Sequence, residues 1–230
     1  MSDLPLRVIA RIHNDFPTKF GLPRQSGLAP ELRGRIVFEP EYRQPEALRG
    51  IEGFSHLWLI WGFSAHRAGQ WSPTVRPPRL GGNKRVGVYA SRSPFRPNPL
   101  GLSCVRLEGL RQDAALGTLL LVSGADLMDG TPIYDIKPYL PYADSIPHAS
   151  AGFAEAPVSR LEVDFPEALL ALIPPDSRPG LLAALSRDPR PAYIDDEARV
   201  FGFYYGGFDV RFRVAAGQLS VCEVIPTALP

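Results

Sequence analysis

The sequence predicts a mainly β protein that ends in a small α+β unit. Short segments in which apolar and polar side chains alternate recur along most of the chain, as expected of strands with one covered face. Prolines exclude helices from two long stretches in the middle of the chain, residues 75–101 and 126–145. Apart from one helical turn near residue 45, the patterns typical of helices fall between residues 166 and 185.

The N-terminal part of the chain carries three predicted strands. Alternation predicts the first over Leu6–Ile12, and an irregular loop over Asn14–Gly27 separates it from the second, Arg35–Glu39. Pro45–Gly50 is predicted to form the single helical turn. Phe54–Phe63 is a nearly continuous apolar and aromatic run, which favours a barrel strand that is covered on both faces.

The segment between Gly53 and Leu107 contains no Asp or Glu but eight basic residues. They are Arg67, Arg76, Arg79, Lys84, Arg85, Arg92, Arg96 and Arg106. Because the whole chain has a net charge of +1, the remainder carries 1 − 8 = −7. Clustered positive charge indicates a polyanionic partner, since phosphates release counterions on binding to Arg and Lys. The alternative is a solvated, proline-rich surface loop.

Within this acid-free segment, residues 75–101 read VRPPRLGGNKRVGVYASRSPFRPNPLG. The prolines fix the backbone and hold arginine side chains on stiff loops, which lowers the ordering cost of binding. Gly81 and Gly82 predict a tight turn. Val86, Val88 and Ala90 follow at period two and predict a strand, with residues 92–99 on the loop that leaves it.

Two further strands are predicted over Leu102–Leu110 and Thr118–Val122. The block after them, residues 126–145, reads DLMDGTPIYDIKPYLPYADS. If residues 133–139 are extended, Asp135, Lys137 and Tyr139 lie on one face of the strand. An acid, a cation and a phenol can together relay a proton. The alternative is an ion pair on an exposed strand with Tyr139 packed over it.

The C-terminal part begins after a linker-like segment at residues 150–160. A short strand is predicted over Arg160–Phe165, followed by a helix over Pro166–Ile173 and a second helix that Ser177 caps and that runs to Leu185. The chain then carries three predicted strands, Phe201–Tyr205, Phe208–Val214 and Leu219–Ile225.

The sequence lacks the motifs of several other function classes. Cys104 and Cys222 have no spacing typical of a metal or redox site, which predicts a reduced, cytoplasmic protein without a metal. Neither GxGxxG nor GxxxxGKS/T occurs, so any nucleotide cofactor must be held without a Rossmann or P-loop cradle. The N-terminus MSDLPLRVIARI has no long apolar core, and we expect neither a signal peptide nor a membrane span.

Three blocks, VRPPRLGGN, SRSPFRPNPLG and DLMDGTPIYDIKPYLPYADS, resemble the signature blocks of a known family. This is the family of S-adenosylmethionine-dependent tRNA methyltransferases that modify N6 of threonylcarbamoyladenosine, the modified base next to the anticodon. The similarity runs from Arg7 to about Val214. It implies a β-barrel domain over residues 1–150, a small α+β domain over residues 151–230, a homodimer, S-adenosylmethionine as cofactor and tRNA as substrate.

The resemblance also implies a set of cofactor-binding residues. They are Pro23, Arg24, Gln25, Ser64, Ala65, Arg92, Leu102, Ala125, Asp126, Leu127 and Asp129. Arg92 is the best candidate for a charge contact. The family commonly has a histidine and a polar residue where this chain has Ser64 and Ala65, so side-chain contacts at those two positions differ here. For catalysis we expect Asp135, Lys137 and Tyr139, because methylation of an amide-like N6 requires that a proton be removed.

Two other functions are compatible with parts of this pattern. A non-catalytic RNA-binding barrel would use the same basic surface without a cofactor pocket. A hydrolase could use Asp135 or Asp129 with a metal ion, but the sequence contains no cluster of metal ligands to support it. Titration with S-adenosylmethionine separates the methyltransferase from the RNA-binding barrel.

Overall fold

A computed structural model describes residues 5–65, 71–154, 160–190, 194 and 196–227, and of Arg79 it describes only the backbone. His66 and Arg67 therefore lie outside the described residues. The first eight strands are β1 (Ala10–Asn14), β2 (Arg33–Phe38), β3 (His56–Gly62), β4 (Thr74–Val75), β5 (Val86–Gly87), β6 (Leu100–Asp113), β7 (Gly117–Ser123) and β8 (Pro132–Pro138). Six of them close into a barrel in the order β1-β2-β7-β6-β3-β8. The predicted barrel fold is thus confirmed, with shifted strand ends.

Side chains on β3 alternate between the barrel interior and its outer face. Leu57, Leu59 and Trp61 are buried in the interior, while Trp58 is only half-buried. The prediction that both faces of this strand are covered is therefore wrong. On the outer face the ring of Trp58 lies 5.8 Å from the ring of Tyr139, so aromatic contacts between side chains replace a second covering layer.

The predicted strand over residues 86–90 is only partly present. β5 pairs with β4 over two residues, and Val88–Ala90 form a 3₁₀ turn instead. The physical reason lies in the backbone of Val88, whose N–H donates to the carbonyl of Pro73 at 3.0 Å while its carbonyl accepts from Arg96 at 3.0 Å. The bond to Pro73 is the last one of the ribbon, because Pro73 has no N–H to donate back to Val88. The chain therefore leaves the two-stranded ribbon at this point.

Short helices and a second sheet make up the rest of the chain. The helices are α1 (Pro141–Asp144), α2 (Glu167–Leu170) and α3 (Arg178–Ser186). The sheet has the order β10-β11-β12-β9 and consists of β9 (Glu162–Asp164), β10 (Phe201–Tyr205), β11 (Phe208–Ala215) and β12 (Gln218–Pro226). The helix predicted over residues 166–173 was too long, since α2 is a single turn followed by Pro174 and Pro175. Ser177 precedes α3 as predicted, but its side chain makes no capping hydrogen bond.

The loop between β1 and β2 joins the barrel to the core of the C-terminal sheet. Phe16, Ala29 and Leu32 from this loop are buried among side chains of α3 and of the sheet, and the ring of Phe16 packs edge-on against Tyr205 at 5.0 Å. The loop also carries residues 23–25, for which we predicted cofactor binding. The barrel and the C-terminal sheet therefore together fix the position of this loop.

Within the described ranges, none of the helices is long and apolar enough to cross a membrane. The same part of the chain contains no group of three or more His, Cys, Asp or Glu side chains that could hold a metal ion.

Candidate functional site

The loop that carries the predicted cofactor residues 23–25 lies along one edge of β6. The backbone N–H of Cys104 donates to the hydroxyl of Ser26 at 3.2 Å, and the N–H of Gly27 donates to the carbonyl of Gly124 at 2.8 Å. Pro23 is buried. The loop is thereby placed beside residues 124–127, the second segment for which cofactor binding was predicted.

A chain of polar contacts, which we call the Asp126 cluster, lies where these segments meet. It consists of Gln25, Trp61, Arg92, Ser103 and Asp126. The indole N–H of Trp61 donates to the buried Ser103 hydroxyl at 2.9 Å, and this hydroxyl donates to Oδ1 of Asp126 at 2.5 Å. The guanidinium of Arg92 donates to Oε1 of Gln25. The structure thus brings together three of the predicted cofactor residues, which are far apart in sequence.

The Asp126 carboxyl is half-buried, and its surroundings act on it in opposite directions. Burial raises the pKa of Asp126, whereas the hydrogen bond from Ser103 and the positive charge of Arg92 favour the ionised form. The flanking Ala125 and Leu127 are buried and pack with the barrel core. A carboxylate, a guanidinium and an amide are therefore gathered at one place, an arrangement that suits a small zwitterionic ligand.

Ser103 and Trp61 were not predicted from the sequence. Ser103 sits among apolar residues on the inward face of β6, and a hydroxyl at such a position needs a buried partner. A serine at an inward-facing position of a predicted strand is therefore the sequence signal by which Ser103 could have been found. Gly101 leaves room for the Trp61 ring, because a Cβ at position 101 would overlap it.

Other predicted cofactor residues make their described contacts elsewhere. Arg24 donates to the carbonyl of Arg190 in the C-terminal part at 3.3 Å. Asp129 is exposed at the end of the barrel, where Oδ1 accepts from the backbone N–H of Asn14 at 3.1 Å and lies 3.1 Å from Nδ1 of His13. Ser64 and Ala65 form an exposed turn directly before residues 66–70, which lie outside the described residues.

The predicted catalytic side chains lie on the outer face of the barrel. Nζ of Lys137 lies 2.8 Å from Oδ2 of Asp135, whose Oδ1 accepts from the backbone N–H of Ile136 at 2.9 Å. Lys137 is paired in register with Trp58, and the ring of Trp58 packs against Tyr139. The structure thus places the acid, the cation and the phenol on one face.

The two groups of residues are connected through β3. Ile60 is paired in register with Leu102 on one side and with Asp135 on the other. Leu102, a predicted cofactor residue, has its side chain 56% exposed on the outer face. At the usual spacing of strands it lies roughly 10 Å from Asp135. A ligand that spans this distance could contact both groups.

Two of the basic side chains in the acid-free segment make hydrogen bonds within the segment itself. Arg96 donates to the carbonyls of Val88 and Ser91 at 3.0 and 2.8 Å, and Arg85 donates to the Thr74 hydroxyl at 2.7 Å. These two side chains stabilise the loop itself. Arg76 and Lys84 are exposed and are the better candidates for contacts with a polyanion.

Comparisons with known proteins identify relatives along almost the whole chain. Residues 11–145 match the family model of the tRNA-methyltransferase O N-terminal domain, and residues 159–227 match that of the TrmO C-terminal domain. The chain is 46% identical to a tRNA (adenine(37)-N6)-methyltransferase of Escherichia coli K12 over 168 residues, 72% of this chain and 70% of the relative. It is also 46% identical to an enzyme of the same name from Eikenella corrodens, over 75% of this chain and 97% of the relative.

Solved structures show the same similarity in three dimensions. A crystal structure of TrmO from Pseudomonas aeruginosa superposes with a TM-score of 0.78 and 33% sequence identity, covering 98% of each chain. A protein of Pseudomonas aeruginosa described as a putative S-adenosylmethionine-dependent methyltransferase is 47% identical over 69% of this chain and 67% of the relative. The similarity therefore includes the barrel, the C-terminal sheet and the segments that form the Asp126 cluster.

Proposed function

Because the chain belongs to the tRNA-methyltransferase O family, we propose that it transfers a methyl group from S-adenosylmethionine to N6 of adenine 37 in tRNA, the reaction for which its relatives are named. The threonylcarbamoyl form of this base is the proposed acceptor. The observation that carries the proposal is the Asp126 cluster, which joins the cofactor loop, the acid-free segment and the segment after β7 at one place.

The residues of the cluster fit the cofactor. The methionine end of S-adenosylmethionine carries an ammonium and a carboxylate, for which Asp126 and Arg92 are the matching charges. The side chains of Ala125 and Leu127 are buried in the barrel core, so this segment is proposed to contact the adenine end through its backbone groups. When bound, the cofactor supplies an electrophilic methyl group on a sulfonium. The indole N–H of Trp61 holds the Ser103 hydroxyl, and this hydroxyl in turn holds the Asp126 carboxylate in one orientation.

On the outer face of β8, Asp135 and Lys137 are proposed to act on the acceptor. N6 must lose its proton as the methyl group arrives, and a cation beside the base lowers the cost of the negative charge that develops. Asp135 orients Lys137 through the 2.8 Å contact. Lys137 is proposed either as this stabilising cation or as the base itself. Tyr139 is the third member of the proposed catalytic group, and its ring packs against the ring of Trp58.

The exposure of this ion pair argues against a purely structural role. The side chains of Lys137 and Asp135 are 62% and 44% exposed. Exposed ion pairs contribute little to stability, commonly about 0–1 kcal/mol. The rings of Trp58 and Tyr139 lie on the same face and offer an aromatic surface on which the acceptor base is proposed to lie beside the pair.

The tRNA substrate is proposed to lie on the acid-free segment. The protein is proposed to act in the cytoplasm. We also propose a homodimer, which the family resemblance implies. The proposed domain boundary near residue 150 separates the barrel from the C-terminal sheet.

The proposal is tested by transfer of a radiolabelled methyl group to tRNA. We expect label in threonylcarbamoylated tRNA, and none when position 37 is guanine. Calorimetry with S-adenosylmethionine tests the cofactor independently and separates this function from a non-catalytic RNA-binding barrel. RNA binding without cofactor binding or methyl transfer would establish the latter.

A further inference from the structure

Tyr89 is a large aromatic side chain that the fold leaves exposed. It lies in the 3₁₀ turn Val88–Ala90, and its side chain is 73% exposed although Val88 beside it is buried. The cofactor site described above uses Arg92, three residues further along the chain, but does not involve Tyr89. Three residues of chain span at most about 10 Å, so the backbone of Tyr89 lies within that distance of the backbone of Arg92.

Arg96 holds one side of the Tyr89 ring. Its guanidinium carbon lies 5.5 Å from the centroid of the ring, and its Nη1 donates to the carbonyls of Val88 and Ser91, which flank the turn. The guanidinium is therefore fixed before any ligand arrives. A cation against one face of an aromatic ring leaves the other face available for stacking.

The surroundings of Tyr89 are typical of a surface that binds single-stranded nucleic acid. The segment is free of acidic residues and carries exposed Arg76 and Lys84. Two more aromatic side chains are exposed nearby in the sequence, Trp71 at 54% and Phe95 at 43%, and the N–H of Ser72 donates to the carbonyl of Phe95 at 3.1 Å. Stiff loops with aromatic rings among cations bind unpaired bases by stacking and phosphates by charge.

We propose that Tyr89 is a stacking site for an unpaired base of the tRNA anticodon loop, a neighbour of the base that is methylated. This inference rests on the tRNA substrate proposed above. Stacking on Tyr89 positions the loop so that the acceptor base reaches the cofactor, while Arg96 keeps the ring in place. A base has an aromatic face whatever its identity, so the site tolerates different neighbouring bases.

The test compares Tyr89→Ala with the matched control Tyr89→Phe, which keeps the ring. The probes are a fluorescently labelled anticodon stem-loop and a fully paired RNA duplex of equal charge, and affinity is measured by anisotropy at fixed salt. We expect Tyr89→Ala to weaken binding of the stem-loop about 5- to 150-fold, the usual range for loss of one stacked base. Binding of the duplex should be unchanged, and Tyr89→Phe should bind the stem-loop within about twofold of the wild type.

Equal affinity of Tyr89→Ala and the wild type for the stem-loop would overturn the stacking site, as would an equal loss for stem-loop and duplex. A change in molar mass on light scattering would show that Tyr89 is a contact between copies of the chain and would also overturn it. If the wild type itself does not bind the stem-loop, the tRNA substrate is wrong. Unchanged calorimetric affinity for S-adenosylmethionine in Tyr89→Ala controls for folding near the Asp126 cluster.

Discussion

Asp126 and Asp135 each lie beside a cation in the same barrel, but their surroundings differ. Asp126 is half-buried, is held by the buried Ser103 hydroxyl, and has a raised pKa because of its burial. Asp135 is 44% exposed and pairs with Lys137 in contact with solvent. A carboxylate that is partly withdrawn from water is suited to hold a ligand charge in a fixed place, whereas the exposed pair is open to a substrate that approaches from solvent. On this comparison we propose cofactor binding for the first and chemistry for the second.

The largest effect is expected from Lys137→Ala. Single-turnover methylation at saturating cofactor should fall about 100-fold or more, the usual size of a general acid–base effect. Asp135→Asn should reduce the same rate less, because Lys137 keeps its charge but loses its orienting partner. The calorimetric affinity for S-adenosylmethionine should stay nearly unchanged in both variants.

Circular dichroism controls for folding of these variants. Lys137→Arg is a matched variant that keeps the charge but does not deprotonate. A rate for Lys137→Ala above about a third of the wild-type rate, against the usual size of such effects, would make Lys137 a structural partner of Asp135. The proton would then leave through solvent or Tyr139.

Arg92→Ala should have the next largest effect. Loss of a charge-assisted contact weakens binding by about 1.5–3 kcal/mol, which corresponds to roughly 10- to 150-fold in the dissociation constant. Calorimetry with S-adenosylmethionine measures it directly. Arg76→Ala removes an exposed arginine from the same acid-free segment and should leave the affinity within about twofold. Unchanged affinity in folded Arg92→Ala would remove Arg92 from the cofactor site.

Asp126→Asn should separate stability from binding. Because the pKa of Asp126 is raised in the folded protein, the folded state is favoured at a pH below the unfolded value of 3.8. That advantage is lost as the pH rises through the folded pKa. At neutral pH, Asn removes the cost of a partly buried charge, so the melting temperature of the free protein should rise.

The difference in melting temperature between Asp126→Asn and the wild type should shrink toward zero as the pH falls below 3.8. Affinity for S-adenosylmethionine should decrease in the same variant, since a charge that contacts the ligand is lost. A melting temperature at neutral pH that falls instead of rising would show that the Asp126 charge stabilises the fold.

The smallest effect concerns tRNA binding. If exposed Lys84 contacts a phosphate, Lys84→Ala should weaken binding alike for all tRNA sequences and flatten the dependence of log K on log salt by a slope of roughly one. We predict the same for Arg79→Ala, although the side chain of Arg79 lies outside the described residues. Unchanged salt slopes in both variants would assign these residues to the fold or to a dimer contact.

Local patterns predicted most strands, because alternation of apolar and polar residues directly reflects one covered face. They failed where distant groups compete for the backbone. Val88 and Ala90 continue the alternation of a strand, but Pro73 opposite Val88 has no N–H to extend the pairing, and the Val88 carbonyl accepts from Arg96 instead. Closure of the barrel depends on the pairing of β1 with β8, more than a hundred residues apart, and only the family resemblance predicted it.

The two parts of the candidate site were predictable to different degrees. Asp135 and Lys137 are two residues apart, so strand geometry alone placed them together. The bulge at Tyr134 precedes the pair, so Asp135 and Lys137 still share one face. Because of this extra residue, they point outward although Ile133 points into the barrel. The link from Trp61 through Ser103 to Asp126 joins three separate segments, and no local pattern contains it.

In the proposed mechanism, cofactor binding at the Asp126 cluster is separate from chemistry at Lys137. The most direct test of this separation is the single-turnover methylation rate, measured against S-adenosylmethionine concentration in Arg92→Ala and Lys137→Ala. In Arg92→Ala the rate should be low at a cofactor concentration that saturates the wild type and should return to nearly the wild-type value at higher concentration. In Lys137→Ala it should stay about 100-fold low at every concentration. Recovery of Lys137→Ala at high cofactor, or none in folded Arg92→Ala, would contradict the assignment of binding to Arg92 and chemistry to Lys137.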